Sequence, residues 1–171
     1  IFDVLLIFYI IYYQNIKIKE YFDRYFGQTY GNKIIEKLRN IDVNQLYNAI
    51  FLLGEIYENN ECITKDINKS IYYYNVAANN NNSKAQYKLA KLYCKGKNVQ
   101  KDINKSIYYY TLAANQNYSK AQHKLGSLYF NGDYVSKDIE KGIYYYTLAA
   151  KQNNSESLYD LAVIHISDKY N

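Results

Sequence analysis

One segment recurs almost unchanged three times, as DINKSIYYYNVAA from Asp66, DINKSIYYYTLAA from Asp102 and DIEKGIYYYTLAA from Asp138, a constant step of 36 residues. A second series keeps the same step through Ala49, Ala85, Ala121 and Ser157, then Leu53, Leu89, Leu125 and Leu161, then Tyr57, Tyr93, Tyr129 and His165. Units that repeat without a gap pack mainly on their neighbours rather than around one shared centre, so the period restricts the chain to a repeat architecture.

The spacing within each series identifies the element. Ser70, Ile71, Tyr74, Ala77 and Ala78 fall at i, i+1, i+4, i+7 and i+8, one face of an α-helix. Ala85, Leu89, Ala90 and Tyr93 form a second such stripe, with small residues where a neighbouring backbone comes close. We call the Ala85 type helix A and the Ser70 type helix B. The pattern predicts helix A near 47–58, 84–94, 120–130 and 156–166, and helix B near 67–79, 103–115 and 139–151.

Local punctuation agrees. Ser83 with Gln86 and Ser119 with Gln122 read as capping boxes opening helix A. Asp66, Asp102 and Asp138 stand where a side-chain acceptor and a negative charge suit the start of helix B. Asn81, Asn117 and Asn153 follow helix B, where Asn replaces Gly in the left-handed residue that ends a helix, and Gly96 and Gly132 follow helix A. The fold class is all-α: an α-α superhelix, or solenoid, of antiparallel helix hairpins.

The run Ala121-x3-Leu125-Gly126-x2-Tyr129-x2-Gly132-x2-Val135-x2-Asp138-x2-Lys141-x3-Tyr145-Tyr146-x2-Ala149-Ala150 resembles the Sel1-like repeat, a relative of the tetratricopeptide repeat. The resemblance covers about residues 45–168. Departures fall at Asn81, Asn117 and Asn153, where the family usually has Gly, and at Ser70, Ser106 and Gly142, where it usually has Ala; both weaken helices slightly. The resemblance implies an adaptor that assembles protein complexes, with no shared catalytic residue. Residues 45–171 are then the repeat domain, three full repeats and a terminal helix. Residues 1–44 read as a degenerate repeat, with Ile18, Tyr21, Phe22, Tyr25 and Phe26 on one face before Gly27, and Ile34, Ile35, Leu38 and Ile41 echoing helix B; a truncated upstream region is the alternative.

Composition excludes little else. The chain of 171 residues is 49% hydrophobic, but Tyr supplies 24 of those positions and the mean hydropathy is −0.47. A net charge of +5 is within what a mixed surface carries, so nucleic acid is not an expected partner. The apolar run Ile1 to Tyr13 is shorter than the roughly 20 residues of a membrane-spanning helix. It reads as a buried element, with a trimmed membrane segment as the alternative. No Met occurs and the chain begins at Ile1, so a natural start upstream is expected; a cytoplasmic location is favoured over secretion.

Sites of chemistry are few. Cys62 and Cys94 occupy different repeat positions and are expected as free thiols. Some secreted Sel1-like proteins staple each repeat with a disulfide, but here Glu58 and Phe130 stand at the Cys94 position. His165 reads as a packing residue. His123 reads as more exposed, with no acid or thiol at i+3 or i+4, so no metal, cofactor or catalytic group is assigned. The sequons at Asn68, Asn81, Asn104, Asn117 and Asn153 are explained by an Asn-rich chain and the helix-ending column. In the Tyr triplets, Tyr74, Tyr110 and Tyr146 should face inward and Tyr73, Tyr109 and Tyr145 should pack, leaving Tyr72, Tyr108 and Tyr144 outside. That reading prevails over a stacking platform for single-stranded nucleic acid.

In tetratricopeptide-like hairpins helix A lines the concave side, which places Lys84, Tyr87, Lys88, Lys91, Lys120, His123 and Lys124 in a groove. Phe51, Tyr87, His123 and Tyr159 make an aromatic ladder at the 36-residue step, with Glu55 and Glu58 at one end and Glu156 and Asp160 at the other. A basic centre that pairs with an acidic protein or peptide segment is expected; the competing reading is a solvated basic face. A hydrolase-type enzyme and a structural tether within a larger protein are the alternative functions.

Overall fold

The structure is a computed structural model that describes residues 43–59, 65–96 and 98–170. Seven helices follow one another among these residues: α1 (Val43–Asn59), α2 (Ile67–Asn79), α3 (Ser83–Lys95), α4 (Ile103–Asn115), α5 (Ser119–Asn131), α6 (Ile139–Ala150) and α7 (Ser155–Tyr170). The odd-numbered helices are A helices and the even-numbered ones B helices, where the spacing places them. No strand occurs among the described residues. The chain divides into two compact units, residues 1–46 and 47–171, and the helix hairpins belong to the second. The expectations for Ile1 to Tyr13, for the two apolar faces between Ile18 and Ile41, and for Cys62 lie outside the described residues.

The helix ends follow from side chains that satisfy free backbone groups. Asp66, Asp102 and Asp138 each accept a hydrogen bond from the N–H three residues on, at 2.9–3.0 Å. Asn81, Asn117 and Asn153 take φ of 62°, 60° and 59°, and Gly96 and Gly132 take 65° and 78°, the left-handed geometry that both columns anticipate. The capping boxes are corrected. Ser83 and Ser119 are the first helical residues, and the caps lie one position earlier: Asn82 accepts from the Ala85 N–H at 2.9 Å, whereas Tyr118 caps α5 with no side-chain bond. Asn154 does for α7 what Asn82 does for α3, accepting from the Ser157 N–H at 2.9 Å.

The two glutamines have a different task from the one their spacing suggests. Gln86 and Gln122 are buried, and their amides donate to the Ala78 and Ala114 carbonyls that end the preceding B helix, at 3.1 and 3.2 Å. Their own carbonyl oxygens accept from Gln116 and Gln152 of the next B-helix end, at 2.8 and 2.7 Å. Successive hairpins are thereby tied through interior amides that both donate and accept, as buried polar groups require.

Packing runs from neighbour to neighbour. Leu89 and Leu125 are wholly buried, as are Ala85, Ala121 and Ser157 of the inward column, while Ala49 is exposed. Around Leu125 lie Ala90, Tyr110, Ala113, Ala114 and Ala121. The B-helix Tyr74, Tyr110 and Tyr146 point inward, and a Cβ on Gly54 or Gly126 would come within 2.6 Å of the Tyr74 or Tyr146 ring. The middle Tyr of each triplet stacks on the preceding A helix: Tyr73 on Tyr57, Tyr109 on Tyr93 and Tyr145 on Tyr129, with centroids 5.6–6.0 Å apart. Tyr72, Tyr108 and Tyr144 are exposed.

Gly142 is more than a weak helix former. A Cβ there would lie 2.8 Å from the Phe130 backbone nitrogen, so the residue's smallness sets how closely α6 approaches α5. At the equivalent place Ser106 donates its hydroxyl to the Ala90 carbonyl at 2.8 Å. His165 is corrected outright: it is exposed, because α7 is the last described helix and no B helix covers the face that Tyr129 and Tyr93 turn to theirs.

Candidate functional site

Two cavities open between successive A helices. The first, of about 610 Å³, is lined by Tyr87, Lys91, Cys94 and Lys95 of α3, Tyr110 of α4, Lys120 and Lys124 of α5, and Asn154, Ser155 and Glu156 at the start of α7. The second, of about 690 Å³, lies between α5 and α7 and is lined by His123, Ser127, Phe130, Asn131, Tyr146, Tyr159, Asp160, Val163 and Ile164, again with Ser155 and Glu156. The two are contiguous at Ser155 and Glu156.

The structure brings only part of the expected groove together. Lys91, Lys120 and Lys124 meet in the first cavity, joined by Lys95 and by Cys94, a free thiol. Lys84 is exposed but lines neither cavity. Lys88 is already neutralised: its ammonium lies 2.8 Å from Glu58 and 3.5 Å from Glu55, both of α1. The basic centre therefore sits toward the C-terminal end of α3 and the first turns of α5, away from Lys88. The reason is geometric, since residues on adjacent A helices face each other across the hairpin step and acids that looked like a separate end of the groove reach the lysine of the next repeat.

The aromatic ladder is uneven for the same reason. Phe51 is buried against Tyr74, with ring centroids 5.7 Å apart, and so contributes to the core instead of a groove wall. Tyr87 is half-buried between Tyr110 and Tyr118. Tyr159 is 70% exposed on α7 and edges the second cavity.

His123 departs from the expectation of an exposed residue without an acidic neighbour: it is buried and has two. Its Nε2 is 2.9 Å from Asp160 in hydrogen-bond geometry, and its Nδ1 is 3.1 Å from Glu156. The Glu156 contact is not aligned as a hydrogen bond, so the buried Nδ1 has none. Sequence neighbours at i+3 and i+4 could not disclose these partners, which come from the next repeat. Ser127, one turn from His123, accepts a hydrogen bond from the Tyr146 hydroxyl at 3.2 Å and makes none with the imidazole, so the nucleophile-to-base bond of a serine hydrolase is not formed. No cluster of three metal-binding side chains occurs among the described residues.

Electrostatics follows the same division. Burial pushes the Glu58 carboxyl upward, but hydrogen bonds from the Lys88 ammonium and the Tyr74 hydroxyl, the latter at 2.6 Å, outweigh it and hold the group below the ordinary carboxylate value. Lys91 is pushed the opposite way from an ion-paired lysine. Partial burial, then the like charges of Lys95 and Lys88, lower its pKa against the pull of Glu58, with a smaller push from Lys124. Among the described residues no carboxylate ion-pairs with Lys91, Lys95, Lys120 or Lys124.

A run of stacked helix hairpins, tied by a period of 36 residues and opening cavities between A helices, defines an α-solenoid repeat protein. The Sel1 repeat family model matches residues 48–82, 83–118 and 119–154, each an A helix with the B helix after it, and the chain belongs to that family. Solved structures agree. A Sel1 repeat protein from Oxalobacter formigenes is 28% identical with a TM-score of 0.66, over 76% of this chain and 97% of that one. The c5321 protein of uropathogenic Escherichia coli, a protective antigen displaying an SLR fold, is 31% identical with a TM-score of 0.65 over 70% of this chain, which spans only 26% of its length. Cysteine-rich protein B of Helicobacter pylori, at 22% identity and a TM-score of 0.54 over 68% of this chain and 96% of that one, shares the fold. Comparison with curated proteins gives no match. Sel1 repeat proteins generally act as protein-interaction scaffolds and are typically non-catalytic.

Proposed function

We propose that this chain is a protein-interaction scaffold whose groove between the A helices takes an acidic segment of a partner protein. One observation carries the reading. Lys91, Lys95, Lys120 and Lys124 converge on a single cavity with no ion-paired carboxylate, the one acid of its lining, Glu156, lying against His123, while Lys69, Lys88 and Lys105 each have a carboxylate partner. An excess of positive charge in a concave place favours an incoming anion, through charge-assisted hydrogen bonds and a faster encounter. Among the described residues no helix is long and apolar enough to cross a membrane. A cytoplasmic setting, in which Cys94 stays a thiol beside the lysines, fits this role.

The test is charge reversal. A tagged full-length chain captures partners from a lysate, and each captured protein is re-measured against Lys91→Glu with Lys124→Glu at two salt concentrations. Affinity should fall more than tenfold and its salt dependence should flatten. Unchanged affinity and unchanged salt slope would reduce the lysines to a solvated face.

A further inference from the structure

Glu156 is the one acid lining the lysine cavity, and its carboxylate is turned to a histidine that lines the other cavity. One carboxylate oxygen lies 3.1 Å from Nδ1 of His123, while the other ring nitrogen, Nε2, hydrogen-bonds Asp160 at 2.9 Å. An ionised carboxylate only accepts, so the Asp160 bond fixes the single proton of a neutral imidazole on Nε2 and leaves Nδ1 with a bare lone pair. A lone pair facing a second carboxylate is repelled by it, whereas a proton on Nδ1 turns the same contact into an ion pair. The arrangement with two acids therefore suits the imidazolium, and imidazole is the side chain that ordinarily changes charge between about pH 5 and 8.

The two partners differ in freedom. His123 is fixed, with its side chain 8% exposed and its ring centroid 5.5 Å from that of Tyr146 on α6, whereas the Glu156 side chain is 65% exposed at the start of α7. The groups that face the imidazole are Glu156 and Asp160 from α7 and Tyr146 from α6, whose hydroxyl donates to Ser127; Lys120 and Lys124 share the His123 helix. When the imidazole is neutral, Glu156 is the member free to move, and the cavity it also lines holds Lys91, Lys95, Lys120 and Lys124. Its charge already reaches that cavity, since burial, then Tyr118 and Glu156, raise the pKa of the Tyr87 hydroxyl.

Building on the groove reading, we propose that His123 is a positioning residue that gates the lysine cavity with pH: the imidazolium holds Glu156 aside and leaves the cavity open to an acidic segment, and the neutral imidazole releases Glu156 to compete for the lysines from within. The sign follows from which form leaves the cavity open. An acidic partner binds more tightly at mildly acid than at mildly alkaline pH, and because linkage is reciprocal its binding takes up protons.

The experiment uses the full-length chain and an acetylated, rhodamine-labelled tetra-aspartate peptide, followed by anisotropy at about pH 5.5 and about pH 7.5, either side of the middle of the imidazole range and well above the Asp range. The native chain should bind about fivefold more weakly at the higher pH, a modest coupling between two sites. Glu156→Gln should bind with the tighter affinity at both pH values, and His123→Gln should lose the dependence. Cys94→Ser, which removes the thiol lining the cavity, and His165→Gln, which removes the other histidine, should keep the native dependence. Calorimetry in two buffers of different ionisation enthalpy should show protons taken up on binding by the native chain and far fewer by E156Q. If His123→Gln lowers helicity, the exposed Glu156→Gln carries the test by itself. A native affinity that is equal at both pH values yet weakened by Lys91→Glu with Lys124→Glu would overturn the gate and leave the groove standing, as would a dependence that persists undiminished in E156Q. A peptide that does not bind, or binds unaffected by lysine reversal, would remove the groove and the gate with it.

Discussion

Leu125→Ala tests the packing on which the whole groove rests. Leu125 is 0% exposed at the centre of α5, in a buried cluster with Ala90, Ala113, Ala114, Ala121 and Tyr110, against which Ile107, Leu128 and several tyrosines pack. The alanines have no rotamers with which to swing into a void, and Tyr110 is held by its contact with Tyr87, so the space left by Leu125 closes only in part, through side chains at its edge such as Ile107 and Leu128. Buried Leu-to-Ala changes cost roughly 2–5 kcal/mol, the larger values where the site cannot collapse, which places this substitution in the upper half. For a unit of this size each kcal/mol moves the melting temperature by about 4 °C, so a fall of about 12 °C or more is expected. Tyr108→Ser removes a side chain that is 58% exposed and loses little more than an edge contact with Tyr109, about 1 kcal/mol. Urea unfolding followed by helical circular dichroism compares the two, with unchanged slopes confirming that stability alone has moved. Equal midpoint shifts would refute the assignment of inward and outward faces.

Gly142→Ala should destabilise by about 1–3 kcal/mol, the cost of overpacking, despite the better helix propensity of Ala, because its Cβ meets the Phe130 backbone; a rise in melting temperature would show that α6 has room to move. Asn117→Ala should cost about 1 kcal/mol and Asn117→Gly close to nothing, since φ is 60° there; equal melting curves would count against a conformational role for the Asn column. Asp102→Ala should cost about 1 kcal/mol through loss of the cap to the Lys105 N–H, and thermal melts of it and an Asp102→Asn variant, which keeps the acceptor, separate capping from charge. Glu58 has a folded pKa below the ordinary carboxylate value, so its contribution is present above the unfolded pKa and is lost as pH falls through the lower folded value. Acid titration of stability should therefore be shallower below about pH 4.5 in Glu58→Gln than in the native chain, and identical acid limbs would dissociate Glu58 from acid unfolding.

Much of this protein was legible in one dimension. A period of 36 residues, with stripes at helical spacing and Asp, Asn and Gly at fixed offsets, determines which residues form helices, where they end and which face is buried. Each of those properties depends on residues within a few positions of one another. Tyr74, Tyr110 and Tyr146 turn inward and Asn81, Asn117 and Asn153 take left-handed backbone as local chemistry requires. The family could be named for the same reason, because its signature is that local chemistry repeated.

The groove was legible only in outline, because its character depends on residues one repeat apart. The stacking of A helices carries Glu58 to Lys88 and Glu156 and Asp160 to His123, and places Phe51 under Tyr74. Spacing alone could mark those residues as neighbours in a column but could not say which faced a counter-charge and which faced solvent. A few ångströms of offset between adjacent helices decide that, and they are set by side-chain volumes such as that of Gly142 against Phe130. So the order of helices was determined along the chain, whereas the choice of which lysines stay free to meet a partner was made by tertiary packing.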